Sequence, residues 1–355
     1  MATEIAAIEI REDIEQVIKE IESERIVYFF GAGASAGAQG FPDGSALSKW
    51  LTERLRKKGK LPEEPPSVYQ KTKDPYDFDL RLICDDLQLS SQLYQYLSLS
   101  KRRGLEEILT RCYGGVAKGG HRLSPPPIYK CIVRGIKRRI EQARNGGNKR
   151  PPPLLLTTNF DNLLELALEE QSVAYDLLLY RRMDDSGRFS DFYYRENSLL
   201  ESTNNFDDIE RSTRRPKIPG KNPLVIKLHG CLQPVCKEGK PEVPLTITDQ
   251  DYLSPALYTL YDAFPSAIRD KLSNNHWLFL GHSFKDLHIR LFLQHLHDSY
   301  DSGKNNKPKI FAITRGSNVQ RILRISQEIH LIPCEMDRFV DELCGLEEEK
   351  EEPNT

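Results

Sequence analysis

At 355 residues the chain is long enough for one large domain or two modest ones. Lys and Arg number 50 against 52 Asp and Glu, so no global basic field argues for nucleic acid as the main partner. The apolar share, 39%, is slightly low and the charged share, 29%, slightly high, which points to polar insertions around an ordinary core. With no signal peptide and no apolar run of bilayer length, the expectation is a soluble, cytoplasmic protein. Seven scattered cysteines, an odd number, fit reduced thiols. Cys231 and Cys236 stand close together, but no second Cys or His pair follows at zinc-ribbon spacing, so no metal site is expected.

Ile14, Val17, Ile18 and Ile21 recur at helical spacing and predict an amphipathic N-terminal helix within residues 1–24. Ile26 to Phe30 is a short β-branched and aromatic run without a polar break, the pattern of a buried parallel strand. Gly31, Gly33 and Gly37 follow, separated only by Ala and Ser. A loop this small lets backbone N–H groups approach an anion. Its spacing is neither the dinucleotide fingerprint nor a P-loop, and a tight turn is the plain alternative. Ser45 is a candidate N-cap for a helix carrying Leu47, Trp50, Leu51 and Leu55, expected to cover the sheet. Together these make a first part over residues 25–57.

Residues 58–150 read as a mainly helical insertion, closed by the glycine-then-proline linker at Asn145 to Pro153. Residues 151–340 return to the strand-and-helix pattern. Leu154 to Thr158 is a strand, and Asn162 to Glu170 a helix. Asn159 and Asp161 between them have ordinary readings as a turn residue and an N-cap. Residues 181–222 are long, charged and dotted with aromatics, a functional loop, small subdomain or partner surface. Strands follow at Leu224 to Leu228, Trp277 to Leu280, Lys309 to Thr314 and His330 to Ile332, and residues 341–355 read as an acidic tail.

Alternating strands and helices, with strands that are continuous apolar runs, argue for an α/β fold: a parallel sheet with helices on both faces. Such sheets bind ligands at the carboxyl ends of their strands. Gly31 to Ser35, Asn159 to Asp161, His229 and Gly230, Gly281 to Ser283, and Thr314 to Gly316 each come directly after a candidate strand. One crevice would receive all five loops, which favours nucleotide binding.

GAGAS at Gly31 to Ser35, TTNFD at Thr157 to Asp161, KLHG at Lys227 to Gly230 and LGHSFKD at Leu280 to Asp286, in that order, resemble the sirtuin-type (Sir2-like) domain, nearest its bacterial anti-phage branch. The resemblance implies a Rossmann-like sheet with an inserted subdomain and cleavage of the nicotinamide–ribose bond of NAD. It assigns the pyrophosphate to Gly31, Ala32, Gly33 and Ser35, ribose and attacking water to Asn159, and the nicotinamide side to Asp161. His229 becomes the general base, and Gly281, Ser283, Thr314 and Arg315 the adenosine contacts. His282 and His288 carry no assigned role. Protein-deacylating sirtuins carry two zinc-binding cysteine pairs and a Gln before the catalytic Asn; here one pair is close and Thr158 precedes Asn159. An NAD+ glycohydrolase in anti-phage defence is therefore expected. A non-catalytic NAD or ADP-ribose module is the rival, and a protein deacylase is the weaker one. The resemblance also implies a homo-oligomer or a separate partner such as a HerA-like ATPase. The basic runs Lys101 to Arg103, Lys137 to Arg139 and Arg214 to Arg215 are weak candidates for nucleic-acid contact, since such runs are more often solvated faces.

Overall fold

The structure is a computed structural model that describes residues 2–22, 25–36, 44–60, 87–97, 102–107, 109, 124–145, 152–181, 191–195, 222–232, 245–248, 251, 264, 266–284, 287–298, 308–314 and 329–348. Its centre is one sheet of eight strands: β1 (Ile26–Phe30), β2 (Leu154–Thr157), β3 (Asp176–Arg181), β4 (Asp191–Arg195), β5 (Leu224–Lys227), β6 (His276–Leu280), β7 (Ile310–Thr314) and β8 (Ile329–Pro333). They lie in the order β4-β3-β5-β2-β1-β6-β7-β8. Every neighbouring pair is parallel except β3 with β4, which pairs antiparallel at the edge. The expected α/β architecture is observed. Two strands were not legible in the sequence: β3, and β4 within the charged 181–222 segment.

Side-chain alternation explains why unbroken apolar strands suit this sheet. Ile26, Tyr28 and Phe30 point to one face and Val27 and Phe29 to the other, and all five are buried. A strand covered on both faces has no position for a polar residue. On the first face lie α1 (Ala2–Glu22), α5 (Pro127–Arg144), α6 (Leu163–Glu170) and α9 (Met336–Glu348). Their buried residues share one cluster with the strands, including Ile14 and Val17, Ile132 and Ile136, Leu164 and Leu168, and Phe339 and Leu343. On the second face α7 (Ser266–Asn274) contributes Ile268 and Leu272, and α8 (Leu287–Asp298) contributes Ile289, Phe292 and Leu296. Among the described residues no helix is long and apolar enough to cross a membrane.

Three expectations change. The helix α3 (Gly44–Lys57) contains Ser45, so that serine lies inside the helix and does not cap it. Its Leu47, Leu51 and Leu55 do not cover the sheet either; they form a separate cluster with Tyr94 of α4 (Leu87–Leu97), Leu105, Leu109, Phe160, Leu245 and Ile247. Periodicity locates a buried face but does not say what buries it. The third change is α9, which runs to Glu348 and so carries helix into the expected acidic tail. The short α2 (Ala32–Ser35) occupies the glycine loop.

Candidate active site

Strand register fixes the geometry of the carboxyl edge. Phe30 is level with Thr157 of β2 and Leu280 of β6, Thr157 with Lys227 of β5, and Leu280 with Ile313 of β7. The segments that follow β1, β2, β5 and β6 leave the sheet side by side. Because β1 lies between β2 and β6, the chain departs to opposite sides of it, which is the switch point where open α/β sheets take ligands.

The glycines serve first to let two of these segments touch. Gly31 N–H donates to the Leu280 carbonyl and Gly33 N–H to the Gly281 carbonyl, both at 2.9 Å. A Cβ on Gly31 would sit 2.8 Å from Gly281 O, and one on Gly33 would meet the same oxygen at 2.8 Å. Gly281 has φ of +70°, and a Cβ there would overlap the backbone of Gly33 and Ala34. Small residues are therefore needed for backbone-on-backbone packing between the β1 and β6 loops, whatever else the loop holds. The N–H groups of Gly31 and Gly33 face β6, so an anion would draw on the remaining amides of the turn.

Asn159 is tied to that loop. Its Nδ2 lies 2.9 Å from the Gly31 carbonyl, 3.0 Å from Ser35 Oγ and 3.0 Å from Tyr129 Oη. A carbonyl can only accept, so the amide must turn its NH2 toward Gly31, which settles its orientation. The opposite end, Oδ1, makes no hydrogen bond among the described residues. Ser35 Oγ and Tyr129 Oη are 2.9 Å apart. Asp161 Oδ1 accepts from Leu163 N–H at 3.0 Å, so it helps cap α6 as an ordinary turn aspartate does. Burial raises the Asp161 carboxyl above its usual range, although Lys227 pulls the other way. Burial, reinforced by Asp161, keeps the Tyr129 phenol protonated.

Beneath this network Lys227 is fully buried on β5. Its ammonium donates to the Asp161 carbonyl and, at 2.7 Å, to Glu165 Oε1 of α6. Burial alone would lower its pKa, but its electrostatic interactions with Cys231, Glu165 and Asp161 raise it, so it stays cationic.

His229 leaves β5 at the same edge, followed by Gly230 at φ of +84°. Its main chain is held by Thr246 N–H, 3.1 Å from its carbonyl, and Phe160 lies 6.4 Å away centroid to centroid. Burial lowers its pKa to about 4, with Asp251 opposing. His282, without an assigned role in the sequence, is buried among Phe29, Phe279 and Phe284, and among the described residues its Nε2 has no hydrogen-bond partner. Burial and the neighbouring His229 lower it to about 3.

Both imidazoles are therefore neutral in the fold near pH 7, whereas each takes a proton near pH 6.5 in an unfolded chain. As pH falls below about 6.5 the unfolded state binds protons that the folded state refuses, so stability drops toward pH 4. Each histidine contributes at most about 1.4 kcal/mol per pH unit across that window. Asp251, held below the usual carboxylate range, adds a loss in the same sense at lower pH, and Asp161, raised above that range by burial, acts in the opposite sense. Urea midpoints should fall steadily from pH 7 to 5, and His282→Gln should flatten that slope; equal slopes would contradict it.

Of the remaining predicted positions, Gly281 adjoins the glycine loop, Ala32 begins α2, Ser283 is exposed at the edge and Thr314 ends β7. Arg315, Gly316 and Cys236 lie outside the described residues, as does the side chain of His288. Among the described residues no cluster of three His, Cys, Asp or Glu side chains is placed to hold a metal ion. Sequence reasoning passed over Tyr129, Glu165 and Lys227. Only Lys227 had a local signal, a charge inside an apolar strand that requires a buried partner.

Residues 153–333, which carry Asn159, Asp161, His229 and the β6 loop, match the family described as SIR2-like domain. The chain belongs to that SIR2-like family. SIR2-like domains use NAD, and the sequence resemblance to the Sir2-like fold stands on that match. No curated protein matches the chain. The SIR2-like match begins after the glycine loop, so the loop's membership in the site rests on the bonds that join it to Asn159 and Gly281.

Proposed function

We propose that the protein is an NAD+ glycohydrolase, which replaces nicotinamide by water at the anomeric carbon of the nicotinamide ribose and releases nicotinamide, ADP-ribose and a proton. The observation that carries this reading is the hydrogen-bonded joint between Asn159 and the glycine loop, at the switch point of a SIR2-like sheet. With its NH2 held by Gly31, Ser35 and Tyr129, Asn159 offers Oδ1 to a ribose hydroxyl or to water. Loss of nicotinamide leaves an oxocarbenium-like sugar, as in glycoside hydrolysis, and an uncharged amide orients water beside it without adding charge. His229, neutral at physiological pH, accepts the proton that water gives up. In this reading Ser35 and the turn at Gly31 to Ala36 bind the pyrophosphate, and Gly281, Ser283, Thr314 and Arg315 bind the adenosine half, the support being the motif resemblance. In this reading the enzyme is cytoplasmic and depletes NAD+ during phage infection, as a homo-oligomer or beside an ATPase partner; the support is the motif resemblance.

A second reading, a non-catalytic NAD or ADP-ribose module, is favoured by one observation: burial makes His229 a weak base. Product analysis beside calorimetry separates them. Nicotinamide and ADP-ribose should accumulate together from NAD+, alone or with the partner. Tight binding without either product would establish the module and end the hydrolase reading.

A further inference from the structure

Arg102 belongs to a basic run that the sequence presents as a solvated face, yet it points inward. Its guanidinium donates to Asp251 Oδ2 at 2.6 Å, to Glu106 Oε1 at 2.7 Å and to the Leu245 carbonyl. Its side chain is 28% exposed, that of Asp251 only 5%. The next residue, Arg103, is 87% exposed and pairs only loosely along the helix with Glu107 at 3.2 Å.

Asp251 is the hub of a small turn. Its Oδ2 also accepts from the N–H groups of Ile247 at 3.0 Å and Thr248 at 2.9 Å, and its own N–H donates to the Thr248 carbonyl at 2.9 Å. The same stretch holds His229 through Thr246 N–H. Leu245 and Ile247 are buried with Leu105, Leu109 and Phe160, and Phe160 stands between Asn159 and Asp161 in the chain. The helix at residues 102–107 thus reaches His229 by a polar route and an apolar one.

We propose that Arg102 and Asp251 are positioning residues for His229: the clasp fixes the turn that holds the His229 main chain and balances the negative field of Asp251 that reaches the imidazole. Among the described residues the Asp251 carboxylate favours the protonated form of His229, and the apolar ring of Phe160 lies 6.4 Å from the imidazole. Arg102 and the backbone donors hold Asp251 ionised against the effect of burial. Opposite removals therefore have opposite effects. Neutralising Asp251 removes the attraction for a proton on His229, whereas neutralising Arg102 leaves that attraction unopposed.

The test is nuclear magnetic resonance titration of the full chain with isotope-labelled histidine, the His229 signal being assigned by its absence in His229→Gln. Arg102→Gln should move the His229 titration upward by about one pH unit. Asp251→Asn should move it down, Arg102→Lys should return it close to wild type, and Arg103→Gln should leave it in place. Shifts of the same sign in Arg102→Gln and Asp251→Asn, or none, overturn the proposal. If Arg102→Gln does not fold, the Asp251→Asn and Arg102→Lys titrations still decide the sign. The catalytic consequence rests on the hydrolase reading: the acid limb of kcat/KM should follow each titration. Opposed titration shifts in a chain that releases no nicotinamide would keep the clasp and discard the hydrolase.

Discussion

Asn159→Ala is expected to lower nicotinamide release from NAD+ by at least about 10²-fold, the usual scale for losing a positioned catalytic group. The same substitution removes the amide's bonds to Gly31 O, Ser35 Oγ and Tyr129 Oη, although Gly31 O keeps the Ala34 N–H and the two hydroxyls keep each other. A lost intramolecular hydrogen bond costs about 0.5–1.5 kcal/mol, so some loss of stability accompanies the loss of rate. Melting curves and NAD+ calorimetry separate the two effects, because a chain that still melts cooperatively and binds substrate has lost chemistry and not fold. Asn159→Asp sharpens the test. It preserves shape, but an oxygen replaces the NH2 that must face the Gly31 carbonyl, so the variant should be as inactive as Asn159→Ala. Turnover within a few-fold of wild type in both variants would remove Asn159 from the mechanism.

How far the sequence led depends on whether a signal is local. The strands whose ends build the site, β1, β2, β5, β6 and β7, announced themselves as apolar runs ending in Gly, Asn or His, and register then brings those ends level. Glycine spacing alone did not reveal that Gly31 and Gly33 are small because Gly281 lies against them, since that partner is some 250 residues away along the chain. Tyr129 looked like one more apolar residue of a helix, and its phenol acquires meaning only where α5 crosses the glycine loop. Arg102 looked solvated for the same reason: its partner Asp251 is distant in sequence. The strand β3 was missed because a leucine run does not by itself distinguish strand from helix, and β4 because its segment is charged overall. Local propensity gives such strands little support, and pairing with β5 and with each other decides them.

Lys227→Met is the substitution expected to be most destabilising, by about 3–5 kcal/mol, because it strands a buried carboxylate. Glu165 is 8% exposed and Lys227 not at all, and among the described residues the Glu165 Oε2 atom already lacks a partner. Without the ammonium, Glu165 must ionise unpaired or take up a proton, and the Asp161 carbonyl loses its donor as well. That loss is a large part of the roughly 5–15 kcal/mol that stabilises an ordinary domain. The double variant Lys227→Met with Glu165→Gln removes both charges at nearly constant volume and should recover much of the deficit, since a buried pair is often worth little against a neutral replacement. The pair also bears on function. Lys227 sits two residues before His229, and its ammonium grips the turn that carries Asn159 and Asp161. Restored stability therefore should not restore turnover in full, because the neutral pair no longer holds the Asp161 carbonyl against β5. Denaturant unfolding of the four chains in a double-mutant cycle measures the coupling. A single-variant loss below about 1 kcal/mol would show that the turn is held by its packing and not by Lys227.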